Sequence, residues 1–358
     1  MIKQYNTTIT RKYNFPKEST DSTLPKRFFE QSLHSLNCLN FQSVQLKQSY
    51  FEEIVDTPFY TSKLHLKNTP IFLNVNNQNT TIGAVDTSTV KIGETQKGIL
   101  IAIRGALIEK YGKKHKYTRI GPFIFHITDK NRNQIYNELK KSSFRINNKK
   151  QLTKPNFFQI PMYIASLLER WLQNSLTKSI KNGIILFDGS LTSGITDSPV
   201  NRIKEILYKA RENNSIILAF SKITKLRSNG YLITDKLPNY EPPYILETTG
   251  FNSKLPLVLL GDIYIAKLKR TNYAFRLDID KEISLEIRKK GVEKLLGNDF
   301  LIHGYPETLR LAHILCTFTA NEILAVKHFL TRKHGIRIIN RPDMHKILFG
   351  PFGKGKRS

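Results

Sequence analysis

Gly183-Ile184-Ile185-Leu186-Phe187-Asp188-Gly189-Ser190 is a continuous apolar run closed by an acid, a glycine and a hydroxyl. A run with no polar face predicts a strand buried on both sides, as in a parallel sheet. Downstream, Pro199 to Arg211 reads as a helix, and Ser215 to Phe220 as a second buried strand closed by Ser221-Lys222. Strand, helix, strand favours a parallel pair with a right-handed crossover. Upstream, Pro161 opens a helix. Its Ile164, Leu167, Leu168, Trp171 and Leu172 fall at i, i+3, i+4, i+7 and i+8, one helical stripe.

Further out, Ile82-Gly83-Ala84-Val85-Asp86-Thr87-Ser88 reads as a short apolar strand ending in an acid and hydroxyls. Gly98 to Ile108 is a β-branched run. The basic turn Gly112-Lys113-Lys114-His115-Lys116 separates it from a third strand, Tyr117 to Thr128. Three strands with short connections predict an antiparallel meander. Residues 129–155 are polar and basic and read as a loop or insertion, either solvated or facing DNA. Residues 227–255 hold Pro238, Pro242, Pro243 and Gly250 and predict an extended excursion. Ile263 to Lys269 and Tyr273 to Ile279 read as two more strands, and Pro306 to Lys333 as a long helical stretch. The expected organisation is an N-terminal extension over 1–75, partly helical around Phe28 to Tyr50, a main domain over 76–350, and a basic tail over 351–358. The expected fold is α/β: an RNase H-like core whose mixed sheet, a meander plus parallel strands, is flanked by helices.

The 358 residues are 40% hydrophobic, enough to bury a core, and carry a net charge of +27. That charge says little about fold and much about partners: nucleic acid first, an anionic membrane surface second. The same lysine excess also fits an AT-rich coding bias. Cys38 and Cys316 show no paired spacing, which excludes zinc ribbons and a disulfide framework and suits a reducing, cytoplasmic setting. The polar start, Met1 to Asn14, lacks a signal-peptide core, and no run approaches the roughly 18 apolar residues of a spanning helix, so no membrane association is expected.

Asp86 and Asp188 each close an apolar strand, where ligands of open α/β sheets bind. On adjacent strands their carboxylates would converge, and would repel without a cation between them. Hard oxygen ligands suit magnesium or manganese. Each Asp could equally begin a turn. Glu169 borders the apolar stripe of its helix, as a third ligand or a solvated residue. His313 shares a helical face with Leu309, Ala312 and Cys316, as a neutral-imidazole ligand or a core histidine. Tyr305 either packs ahead of that helix or orients a phosphate or water. Lys222 could neutralise phosphate charge or simply end its strand in solvent.

Taken in order, these segments resemble the NurA family of archaeal and bacterial nucleases. The resemblance rests on Gly83-Ala84-Val85-Asp86-Thr87-Ser88, Ile185-Leu186-Phe187-Asp188-Gly189-Ser190-Leu191, Ala219-Phe220-Ser221-Lys222, and Gly304-Tyr305-Pro306 followed by Leu309, Ala312 and His313. It covers roughly residues 80–330. The resemblance implies a manganese-dependent deoxyribonuclease (magnesium possible, two ions) with 5′-to-3′ exonuclease and single-strand endonuclease activity. It implies a homodimer working with a HerA-type hexameric translocase in DNA-end resection. Carried over, Asp86, Glu169, Asp188 and His313 would ligate metal, Tyr305 would support catalysis, and Lys222 would meet DNA. The first motif departs from the commoner Asp-Gly-Ser, and Glu109 stands in reserve for Glu169. Two rival readings use the same residues: a non-catalytic DNA-binding or helicase-adaptor subunit, and another RNase H-like nuclease.

Overall fold

The computed structural model describes residues 23–39, 43–46, 60–67, 69–144, 159–193, 200–224, 226–228, 231–235, 237–253 and 258–340. The basic tail and residues 145–155 of the expected insertion lie outside them. In chain order the elements used below are α1 (Thr23–Leu36), β1 (Ser43–Leu46), β2 (Tyr60–Leu66), β3 (Ile82–Thr95), β4 (Gly98–Tyr111) and β5 (Lys114–Thr128). Then come α2 (Arg132–Phe144), α3 (Ile160–Ser179), β6 (Ile184–Asp188), α4 (Val200–Glu212), β7 (Ile216–Ser221) and β8 (Tyr244–Ser253). The chain continues through β9 (Gly261–Lys267), β10 (Phe275–Asp280), α5 (Leu285–Asn298), α6 (Glu307–Cys316), α7 (Ala320–His334) and β11 (Arg337–Asn340).

One mixed sheet organises the molecule. β5, β4 and β3 form the antiparallel meander. β3 then pairs in parallel with β6, and β6 in parallel with β7. β10, β9, β8 and β2 extend the sheet antiparallel. This is the order expected from the sequence, an antiparallel meander joined to parallel strands in one mixed sheet, flanked by helices on both faces. Side chains alternate along a strand, so each strand divides its residues between two cores. Val85, Ile103, Phe187 and Ala219 pack with α1 to α4. Ala84, Leu186, Leu218 and Phe220 pack with α5 and α6 through Val292, Leu295, Leu309 and Ala312. Burial on both faces is why β6 and β7 read as unbroken apolar runs.

Several expectations need correction. The expected loop at 129–155 contains α2, whose Ile135, Tyr136 and Leu139 enter the first core. α1 covers Thr23–Leu36, earlier than the Phe28 to Tyr50 stretch, because β1 follows it and pairs with β3 and β11. The proline-containing excursion includes β8, a paired member of the sheet. α5 was not foreseen. Gly291 interrupts its sparse apolar pattern, yet a Cβ there would come within 2.9 Å of Ile216, so the glycine allows the helix to lie close on β7.

The 307–334 stretch contains an 18-residue window of mean hydropathy 1.3, which by length and composition alone passes for a membrane-crossing helix. It is two helices, broken at Thr317–Thr319. Thr319 and Glu322 form a capping box that starts α7 afresh. Glu322 also pairs with Arg104 of β4 (2.9 Å) and Arg119 of β5 (2.6 Å), and the Arg104 guanidinium lies 4.4 Å from the Phe318 ring centre. Burial alone would raise the Glu322 carboxyl. Hydrogen bonds from Arg104, the Thr319 amide and Arg119 outweigh it and bring the group from 4.5 to about 2. A folded-state value below the unfolded one stabilises above the unfolded value and is lost as pH falls through the folded value. Stability should therefore fall between about pH 4.5 and 2 in the native chain. In Glu322→Gln this part of the pH dependence should be absent, at a cost at neutral pH on the order of 2 kcal/mol after allowance for solvent screening. Denaturant melts at several pH values check both.

Candidate active site at the carboxyl edge of the parallel strands

The site grows from one register. Val85 pairs with Phe187, and that is the last parallel pair between β3 and β6. Asp86 and Asp188 are the next residues on each strand, on the face of Ala84 and Leu186. Adjacent strands lie about 4.8 Å apart, so both carboxylates leave the sheet side by side. β3 does not end at Asp86, as the sequence suggested: it runs on to Thr95, and what ends is its partner β6. Gly189, at φ +105°, turns the chain away, and its amide donates to the Phe220 carbonyl (2.8 Å). The next turn is held from below. Leu191 N donates to Asp278 Oδ2 (3.0 Å), and the Arg276 guanidinium grips both Asp278 oxygens at 2.7 Å. Burial pushes the Asp278 carboxyl up, and Arg276 opposes it.

Asp86 is nearly buried. Its Oδ1 accepts from the Thr87 amide (2.7 Å), and its Oδ2 lies 2.7 Å from His313 Nδ1. His313 is not a core histidine: its side chain is 51% exposed and stands beside the buried stripe of Leu309, Ala312 and Cys316. Cys316, one turn on, is fully buried, and its Sγ donates to the His313 carbonyl (3.2 Å). Ligand atoms of Asp86, His313 and Cys316 all lie within 4.8 Å of one another. Sequence reasoning missed Cys316 as a site residue, although its i, i+3 spacing from His313 was visible.

α6 owes its position to a carboxylate. Its N-cap, Pro306, makes no side-chain capping bond. Asp299 does this work from the end of α5, accepting from Thr308 N (3.0 Å), Thr308 Oγ1 (2.9 Å) and Phe300 N (3.0 Å) while pairing with Lys110 (2.8 Å). Between them, Leu301–Ile302 pairs with Tyr305–Pro306. The two linking residues, His303 and Gly304, both have positive φ, the demand of a tight two-residue hairpin.

This hairpin seats Tyr305 between Phe220 and Phe275, with ring centres 6.1 and 5.3 Å away. Its residue is 8% exposed, and its hydroxyl has no hydrogen-bond partner among the described residues. Burial first, then the charges of Asp188 and Asp86, push its ionisation far up, so it stays a donor. Lys222, just past β7, donates to Asp188 Oδ2 (2.6 Å) and stands 5.9 Å from the Tyr305 ring centre. Asp86, Asp188, Lys222, Tyr305 and His313 thus meet at one edge.

Glu169 comes from another side. Its helix, α3, covers the opposite face of the sheet, and its Oε1 accepts from Gln173 (3.0 Å). The reserve residue Glu109 is also elsewhere. It pairs in register with Gly83, three residues before Asp86, and accepts from Ser179 (3.0 Å). A groove of about 320 Å³ lined by Tyr208, Arg211 and Asp280 lies against α4, and none of the residues meeting at this edge lines it.

No protein-family model and no curated protein sequence matches the chain. Among solved structures it is similar to the NurA nuclease from Sulfolobus solfataricus, at 13% identity over 86% of this chain and 94% of that one, with a TM-score of 0.44. It is also similar to Endonuclease V from Bacillus subtilis, at 12% identity over 90% of this chain and 97% of that one, with a TM-score of 0.32.

Proposed function

We propose that this protein is a metal-dependent nuclease that hydrolyses phosphodiester bonds of DNA. The observation that carries the reading is the placement of Asp86 and Asp188 on neighbouring strands, each one residue past the last parallel pair, with His313 beside one and Lys222 beside the other. Two carboxylates and an imidazole are a donor set for a hard or borderline divalent cation. The buried Tyr305 hydroxyl, without a hydrogen-bond partner among the described residues, fits a site built for a further occupant. Manganese as preferred metal, two ions, 5′-to-3′ polarity with single-strand endonuclease activity, a homodimer, a HerA-type translocase and a cytoplasmic setting belong to the same proposal. They rest on the motif resemblance.

In this reading Asp86, Asp188 and His313 would hold the metal. A bound divalent cation makes a coordinated water nucleophilic near neutral pH and stabilises charge on the phosphate. Asp86 keeps His313 Nδ1 in place, and the buried thiol of Cys316 holds the His313 carbonyl behind it. Tyr305 offers its proton as a hydrogen bond to the attacking water or a phosphate oxygen. Lys222, freed from Asp188, meets the negative charge of the scissile group. The net charge of +27 holds the backbone without reading bases, so binding should weaken steeply with salt.

End-labelled DNA, RNA and hybrid substrates with manganese, magnesium or EDTA test the reading. Metal-dependent cleavage of DNA alone supports it, cleavage of RNA or hybrid favours another RNase H-like nuclease, and DNA binding without cleavage favours an adaptor. Tyr305→Phe gives a sharper expectation. Removing a buried, unsatisfied hydroxyl should leave stability equal or higher by up to about 1 kcal/mol. Cleavage should nevertheless slow by about tenfold or more. Paired thermal melts and initial rates check this.

A further inference from the structure

We propose that Asp86, His313 and Cys316 form a binding site for a thiophilic divalent cation, zinc in particular, that competes with the hard metal and switches the site off. The three ligand atoms are an oxygen, a nitrogen and a sulfur from β3 and one turn of α6, all within 4.8 Å of one another. Three protein ligands plus one open position is the arrangement zinc takes at accessible sites. Sulfur is a poor ligand for manganese or magnesium and a good one for zinc, and zinc outranks manganese in general affinity. The open side is present, because the His313 side chain is half exposed while Cys316 is sealed beneath it. Close by, the Tyr305 hydroxyl, on a residue more than nine-tenths buried, has no hydrogen-bond partner among the described residues. A manganese enzyme has no evident need for a sulfur at this depth, since Asp86, Asp188 and His313 already supply its ligands.

Binding of the soft cation does not depend on the proposed nuclease activity; only its inhibitory effect rests on that reading. Coordination breaks the Cys316 S–H bond, with its hydrogen bond to the His313 carbonyl, and releases the proton to solvent. Cobalt(II) is the probe, because a cobalt–thiolate bond gives a near-ultraviolet charge-transfer band that oxygen and nitrogen ligands do not. Titrating the EDTA-treated full chain with cobalt should raise this band, and zinc should abolish it. Cys316→Ser, nearly isosteric, should lose the band and weaken zinc binding by at least about tenfold. Cys38→Ser should keep both. Zinc should inhibit manganese-dependent cleavage by the native chain. The half-inhibiting concentration should rise at least tenfold in Cys316→Ser, each protein being compared with its own zinc-free rate. A native chain without the band, or a Cys316→Ser variant that retains it, overturns the inference. If the band appears as expected but the protein cleaves nothing, the zinc site stands and the nuclease reading fails.

Discussion

Asp86→Ala should lower metal-dependent DNA cleavage by about three orders of magnitude or more, beyond the loss expected from one transition-state hydrogen-bond donor. Asp86 supplies one carboxylate of the pair and is also the partner of His313 Nδ1, at 2.7 Å. Its removal therefore takes one ligand and unseats another. The fold should survive, because β3 is held by backbone pairing to β4 along its length and to β6 up to Val85. The variant should accordingly melt within a few degrees of the native chain in EDTA. Manganese should raise the native melting temperature through its affinity for the folded state, by about 2.7 kcal/mol of stability at a hundredfold excess over Kd, and should leave the variant almost unmoved. A variant that still cleaves at native rates would place the chemistry elsewhere.

The largest expected effect on stability belongs to Asp299. Its carboxylate is wholly buried, pairs with the Lys110 ammonium, and accepts two backbone amides and the Thr308 hydroxyl. Asp299→Ala leaves a mostly buried lysine and the start of α6 without partners. Breaking one side of such a pair costs about 3–5 kcal/mol. Asp299→Asn should cost less, since its amide oxygen can still accept from Thr308. Because α6 carries His313 and Cys316, the alanine variant should also bind manganese more weakly than its residual folded fraction accounts for. Denaturant titration with and without manganese separates the two effects.

The parallel half of the sheet was legible because burial on both faces leaves a sequence with nowhere to put polar residues. Gly183 to Ser190 and Ser215 to Phe220 carry that mark, and the order of strands followed from it. The convergence of Asp86 and Asp188 was legible for the same reason, each being the first polar residue after such a run. The side from which Glu169 approaches was not legible. Its position beside an apolar stripe is equally consistent with packing on either face of the sheet, and α3 covers the face away from Asp86. Cys316 was passed over because metal spacing was sought between cysteines, and its partners are a histidine one turn away and an aspartate 230 residues earlier in the chain. The dependence of α6 on Asp299 was hidden for a similar reason: nothing local to Pro306 signals a cap delivered from the end of the preceding helix.

The most direct measurement is cleavage of end-labelled single- and double-stranded DNA by the native chain and Asp188→Ala, each with manganese, magnesium or EDTA. Asp188 ends β6 beside Asp86 and binds Lys222 in the absence of metal. The account predicts cleavage by the native chain only with metal, and none by the variant at equal DNA binding. Cleavage that persists in the variant or in EDTA would contradict it.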